Sequence, residues 1–245
     1  MTAGKPVDVS RGTIRAGTRP ADGTGLLSES HLEKLRELAR AVGVPLPSSF
    51  QPACESFLTE LAKWNRRISL ISVKDRARVV ERHVLDSLCL LACNPRLAGK
   101  HILDVGPGAG FPGLVLAMWD SNARLTLVES KSKPVAFLRA VRRSIGLGNV
   151  EVVHARLESV ADPARMPLVD IVTSRAVGGT LWLAGQVAPV LQPGGAVVVY
   201  TARRHRGSTL TAGDTRTLKQ LGYSLESVTP PWQSLTTLLI LRKLR

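Results

Sequence analysis

Asp104-Val105-Gly106-Pro107-Gly108-Ala109-Gly110-Phe111-Pro112-Gly113 decides the fold of this 245-residue chain. It follows a short β-branched run, 101–105 (HILDV), and precedes an apolar stretch at helical spacing, 112–119, so it reads as a strand-to-helix turn. Three glycines at alternate positions let the backbone turn sharply and approach a ligand where side chains would intrude. Downstream, strand-like runs at 124–128, 150–153, 168–173 and 195–200 alternate with helical ones at about 112–119, 132–146 and 179–191. That alternation is the pattern of a parallel sheet with crossover helices. A further helix near 208–221 and two closing strands, 222–229 and 235–242, complete the unit; no long crossover separates the last two, so the final strand can enter antiparallel.

Upstream of residue 98 the pattern is all-helical. Leu32, Leu35, Leu38, Ala39 and Val42 recur at helical spacing behind Ser28 and Ser30, and Gly43 and Pro45 stop the run. A second helix is expected over 52–67, and a third over 76–93 with Asp75 as its cap. Residues 1–27 are rich in Gly, Thr, Pro and Arg and lack apolar periodicity, which predicts a disordered arm. The expected division is therefore an arm over 1–27, a helical segment over 28–97 and an α/β domain over 98–245.

The chain carries 33 Lys and Arg against 19 Asp and Glu, a formal charge of +14, which favours polyanionic partners. The basic excess runs through the folded part: residues 31–100 hold twelve basic and seven acidic groups, and the arm only four and three up to residue 30. Cys54, Cys89 and Cys93 lie in helix-like stretches without a second pair to complete a four-ligand metal site, so no metal is expected. No stretch approaches the roughly 20 apolar residues of a membrane span, and the N-terminus lacks a secretory apolar segment. A cytoplasmic protein, acting as a monomer, is expected.

Glu129, at the end of the second strand, can accept both hydroxyls of an adenosine ribose. A glycine loop with a ribose acid also describes a nicotinamide dehydrogenase. Asp104 separates the two: two residues before the first glycine, a carboxylate repels a pyrophosphate but suits the amino group and sulfonium of a methyl donor. The order acid, x, Gly, x, Gly, x, Gly thus resembles the loop of class I S-adenosylmethionine-dependent methyltransferases.

The resemblance extends over roughly residues 30–200. Trp64-Asn65, Arg82-His83-Val84-Leu85-Asp86-Ser87, Gly106 to Gly113, Lys133, Phe137-Leu138-Arg139, Arg156-Leu157-Glu158 and Ser174-Arg175-Ala176 occur in the order seen in the glucose-inhibited division protein B family. These are the small-subunit ribosomal RNA guanine-N7 methyltransferases, and the chain is similar to them. The resemblance implies a Rossmann-like, mostly parallel seven-stranded sheet. It further implies S-adenosylmethionine as cofactor and ribosomal RNA, or a precursor of the small ribosomal subunit, as partner. Gly106, Phe111, Leu157, Glu158 and Arg175 are implied to line the cofactor site, with Asp104, Gly108 and Gly110 completing the loop and Glu129 on the ribose.

Plainer roles stand beside these. His83 on an amphipathic helix reads as a core histidine as readily as a functional one, and Asp86 can simply pair with Arg82 four residues earlier. Arg175 can be a surface charge, but it ends a strand where open α/β sheets bind ligands. Trp64 reads as packing. His83 and Asp86 are the candidates for positioning in catalysis, and Arg203, Arg204 and Arg206 for holding RNA phosphates. The sequence departs from the family at Ser69 and Ile71, where Asn and Thr are usual, and after Tyr200, where no Lys-Gly follows. A methyltransferase of another RNA or of a small molecule, and a non-catalytic RNA-binding relative, remain alternatives.

Overall fold

The computed structural model describes residues 27–94, 96–175, 179–202, 210–230 and 236–244. Its centre is a seven-stranded sheet: β1 (His101–Val105), β2 (Arg124–Glu129), β3 (Val150–His154), β4 (Val169–Arg175), β5 (Leu191–Ala202), β6 (Tyr223–Val228) and β7 (Thr236–Lys243). The spatial order is β3-β2-β1-β4-β5-β7-β6. Strands β1 to β5 are parallel, and β7 enters antiparallel between β5 and β6, as the short final connection allows.

Alternating side chains feed two cores. Ile102, Leu125, Leu127 and Ile171 face one side, with helices α4 (Gly113–Trp119) and α5 (Ser132–Ile145). Leu103, Val105, Val128 and Val172 face the other, with α6 (Thr180–Val187), and Leu218 of α7 (Ala212–Gln220) joins that side. The order of crossovers reverses between β1 and β4, which creates a crevice at the carboxyl ends of the strands.

The helical segment does not fold apart from the sheet. Leu35, Leu38, Phe57, Leu58, Val84 and Leu88 join the same core as α4 and α5. Its first helix, α1 (Glu29–Val42), starts at a capping box between Ser28 and His31 and stops at Gly43, whose φ of 68° no β-substituted residue adopts readily. The second, α2 (Phe50–Trp64), lays Phe57 edge-on to Phe111, and Trp64 edge-on to Phe137, the packing role expected of it.

The third predicted helix is not continuous. A short α3 (Val73–Arg76) is capped by Ser72, whose hydroxyl accepts from Asp75 N; Asp75 is thus inside the helix, not its cap. A π-helical turn follows over Val80–Leu85 and a 3-10 turn over Leu88–Ala92. Widened turns of this kind occur at functional sites, and the Arg82 carbonyl within it accepts a bond from Arg175. The expected helix over 179–191 ends at Val187, because β5 already begins at Leu191, paired with Val169. Gly195 makes this pairing fit: a Cβ there would lie 2.9 Å from the Asp170 carbonyl. The predicted arm, apart from Leu27, lies outside the described residues, as do Arg203, Arg204 and Arg206.

No described helix is long and apolar enough to cross a membrane, and no metal-binding group of His, Cys, Asp and Glu occurs among the described residues. Cys54, Cys89 and Cys93 are in no disulfide; burial pushes the Cys54 thiol up to about 12 and the Cys93 thiol to about 11, so both stay protonated.

Candidate active site

The glycine loop is shaped by its own backbone and by two buried carboxylates. Gly106, Gly108 and Gly110 have φ of 66°, 54° and 90°, in the region that favours glycine. Gly106 N donates to Val128 O at 2.9 Å, pinning the turn to β2. Glu129, 6% exposed, accepts from Gly108 N (3.1 Å) with one oxygen and from Lys131 N (2.9 Å) with the other. A carboxylate offers about four lone-pair sites. Two remain for a ligand lying over the loop.

Asp104, expected to face a donor's charged groups, is fully buried beneath the loop instead. One oxygen accepts from Gly113 N at 2.7 Å and the other from Thr173 Oγ1 at 3.1 Å. Its role here is to tie the start of α4 to β4. Burial pushes its carboxyl up to about 7, against the opposing pull of those two bonds. Gly113 completes the arrangement, since a Cβ there would stand 2.6 Å from the Asp104 carboxylate and 2.4 Å from the Leu127 side chain.

Beside the loop a cleft of about 300 Å³ is lined by Gly106, Ser130, Arg156, Leu157, Glu158 and Trp182, together with the ends of β1 and β2. That volume is at the low end of ligand pockets, the size for a nucleoside. A larger, shallow hollow of about 630 Å³ lies along α1 near Arg36, Arg40 and Leu46, away from the carboxyl ends of the strands. The smaller cleft is the one the fold places at the switch point.

A second cluster closes the site from the helical segment. His83 stacks on Phe111, with ring centroids 4.9 Å apart and an interplanar angle of 23°. Arg175, at the end of β4, donates from Nη2 to Arg82 O at 3.0 Å and stands 3.5 Å from Asp86 Oδ2. Its guanidinium also lies 5.7 Å from the centre of the Tyr200 ring. Asp86, 4% exposed, accepts from Thr236 Oγ1 at 2.7 Å, so the pairing expected with Arg82 is replaced; Arg82 turns to Asp75 instead, at 3.3 Å. Burial, and then the neighbouring Arg175 charge, push the His83 ring down to about 4, so it is neutral near pH 7. Among the described residues, two buried nitrogens of this cluster, His83 Nε2 and Arg175 Nη1, have no hydrogen-bond partner.

The predicted residues thus fall into three groups. Gly106, Leu157 and Glu158 line the cleft; Glu129 and Gly108, bonded to each other, sit close in sequence to its lining residues Val128, Ser130 and Gly106 without lining it themselves. Phe111, Arg175, His83 and Asp86 form the adjoining cluster. Asp104 and Gly110 support the loop from within: a Cβ on Gly110 would meet Leu114 at 2.4 Å. Sequence reasoning missed Trp182, Thr173, Tyr200 and Thr236. Trp182 had a legible signal, because the first turn of a helix that follows a strand opens onto the ligand edge of the sheet. Thr236 had none, as its partner Asp86 lies 150 residues away.

The model of the family described as GidB, rRNA small subunit methyltransferase G, matches residues 51–226. A relative named ribosomal RNA small subunit methyltransferase G from Myxococcus xanthus is 35% identical over 183 residues, covering 74% of this chain and 82% of its own. One of the same name from Serratia proteamaculans is 41% identical over 144 residues, covering 59% and 67%. Among solved structures, the S-adenosylmethionine-dependent methyltransferase SibL is similar with a TM-score of 0.56 at 16% identity, over 88% of this chain and 74% of that one. A SAM-dependent methyltransferase from Aquifex aeolicus gives 0.51 at 17%, over 74% and 97%. The structural likenesses carry the class I methyltransferase fold, and the match over 51–226 carries more: this chain belongs to the rRNA small subunit methyltransferase G family.

Proposed function

We propose that the protein methylates N7 of a guanine in small-subunit (16S) ribosomal RNA, with S-adenosylmethionine as donor. One observation carries the reading: a nucleoside-sized cleft with a ribose-type carboxylate adjoins, at one sheet edge, a cluster holding two buried polar nitrogens without partners. Unpartnered buried groups cost about 1–3 kcal/mol each, which a ligand that bonds to them returns as affinity. The name shared by the relatives supplies the RNA class, and the charge of +14 suits it.

The residues present fit the donor. The glycine backbone permits close approach, Glu129 keeps lone pairs for ribose hydroxyls, and Leu157 and Trp182 give the cleft apolar walls. Bound there, S-adenosylmethionine supplies an electrophilic methyl group. Guanine N7 has an in-plane lone pair and no proton, so no residue need act as a general base. What remains for the chain is orientation. Arg175 is held by Arg82 O, Asp86 and Tyr200, with the N–H groups of Nη1 left to donate; His83, neutral and stacked on Phe111, offers Nε2 beside it. We assign both to orienting donor or base, with Asp86 positioning Arg175. A ribosomal RNA substrate supports a cytoplasmic location.

Calorimetry with S-adenosylhomocysteine and with NAD tests the donor assignment directly. Binding of the first and not the second is expected. The reverse result would transfer the loop to a dinucleotide.

A further inference from the structure

The RNA contacts sought at Arg203, Arg204 and Arg206 leave a second basic surface unexplained. Residues 66–82 carry six cations, Arg66, Arg67, Lys74, Arg76, Arg78 and Arg82, against only Asp75 and Glu81. All six are exposed. Both acids are already engaged: Asp75 with Ser72 and Arg82, and Glu81 with His31 and Lys34. Among the described residues Arg66, Arg67, Lys74 and Arg78 form no ion pair.

The contrast with α1 shows that this is not merely a solvated face. There Arg36 and Arg40 are answered by Glu29 and Glu33 at 2.6 and 2.8 Å. A surface that concentrates like charge without internal partners carries a repulsion that a polyanion relieves.

The segment is also built to hold its shape. Asn65, 5% exposed, accepts from Leu70 N (2.8 Å) and Ile71 N (3.1 Å) and donates to Ile71 O (3.3 Å), closing the loop that presents Arg66 and Arg67. Arg76 Nη2 donates to Asn65 O at 3.2 Å, locking α3 onto that loop. From α3 the ridge runs through the Asp75–Arg82 pair to the Arg82 carbonyl that Arg175 holds. The ridge therefore ends at the wall of the candidate active site. Val73, 74% exposed between these cations, offers an apolar contact for a ribose or base.

We infer that residues 66–82 form an RNA-docking ridge, whose cations contact phosphates flanking the target nucleotide and aim that nucleotide at the Arg175–His83 cluster. The inference rests on the RNA reading of the site and adds the surface that delivers the substrate. It also gives the Trp64-Asn65 pair of the sequence a purpose, since Asn65 is the clamp.

The test uses the full-length protein and protein-free small-subunit ribosomal RNA from a strain lacking the gene. Arg66→Gln/Arg67→Gln is compared with Arg142→Gln/Arg143→Gln, an equal charge loss in the last turn of α5, which leads into the amino end of β3. Each phosphate contact contributes about 0.7–0.9 to the slope of log affinity against log salt. The ridge variant should therefore lose about 1.4–1.8 from that slope, with KM for RNA raised, kcat retained and S-adenosylhomocysteine affinity at the wild-type level. The α5 variant should stay near wild type. Equal slopes for wild type and ridge variant, or equal losses in both variants, would overturn the ridge while wild-type methylation stood. Absence of any methyl transfer by wild type would instead count against the RNA methyltransferase reading itself.

Discussion

The two sides of the site are built on different principles. On the loop side both buried carboxyl groups are matched: Asp104 by Gly113 and Thr173, Glu129 by Gly108 and Lys131. On the helical side the groups come from three separate stretches, His83 and Asp86 from one and Arg175 and Thr236 from two others, and among the described residues two buried nitrogens lack partners. A satisfied, backbone-shaped cradle suits a ligand that is the same in every turnover. An unsatisfied cluster, completed by what binds, suits a group that must be selected and aligned.

The comparison is most severely broken at Gly113. A methyl group there meets the Leu127 side chain and the Asp104 carboxylate at 2.4 and 2.6 Å, and both side chains are fully buried, so neither yields without disturbing its own packing. Gly113→Ala should cost about 3 kcal/mol or more in urea unfolding, from overpacking together with loss of the Asp104 clamp. Wild-type stability would show that the loop is looser than its packing implies.

Arg175→Ala strikes the other side. Asp86 would lose its cation and the Arg82 carbonyl its donor. A fall of about a hundredfold or more in kcat/KM, equivalent to about 3 kcal/mol, is expected with the fold retained. Activity within a factor of two of wild type would reduce Arg175 to a structural tie.

Glu129→Ala removes the acceptor of Gly108 N and the ribose contacts together. Affinity for S-adenosylhomocysteine, measured by calorimetry, should fall about ten- to a hundredfold, corresponding to about 1–3 kcal/mol. Unchanged affinity would move the ribose elsewhere.

The smallest effects concern pH, and they have opposite signs on the two sides. Asp104 is raised to about 7, so the folded state holds its proton more tightly, and its contribution to stability falls as pH rises from about 4 to 7. His83 is lowered to about 4, so its contribution is complete above about 6.5 and falls as pH drops towards 4. The two slopes oppose one another between pH 4 and 6.5 in wild type. Asp104→Asn should leave a stability that rises with pH across that window, and His83→Gln one that falls. Urea midpoints at pH 5 and 8 that move alike in both variants would contradict the assignment.

The same division explains what was legible in the sequence. The loop side is local: Gly106, Gly108, Gly110 and Glu129 lie within 24 residues, and glycines that need positive φ announce themselves. Even there the direction of the Asp104 side chain was misread, because spacing gives position and not which way a carboxylate turns. The parallel sheet followed from strand alternation, and the short last connection left room for the antiparallel β7. The broken third helix was illegible, since the apolar spacing of a π turn resembles that of an α-helix and its tie to Arg175 spans 93 residues. Asp86 was assigned to Arg82 by helical spacing, and long-range partners took it instead.

The central claim is methylation of guanine N7 in small-subunit ribosomal RNA. N7-methylation fixes a positive charge on the base and labilises its glycosidic bond, so reduction followed by aniline cleaves the strand at that nucleotide. Small-subunit RNA from wild-type and deletion strains should differ by one cleavage, present in wild type, lost in the deletion, and restored by the wild-type gene but not by Arg175→Ala. Identical cleavage patterns in wild type and deletion would contradict the account.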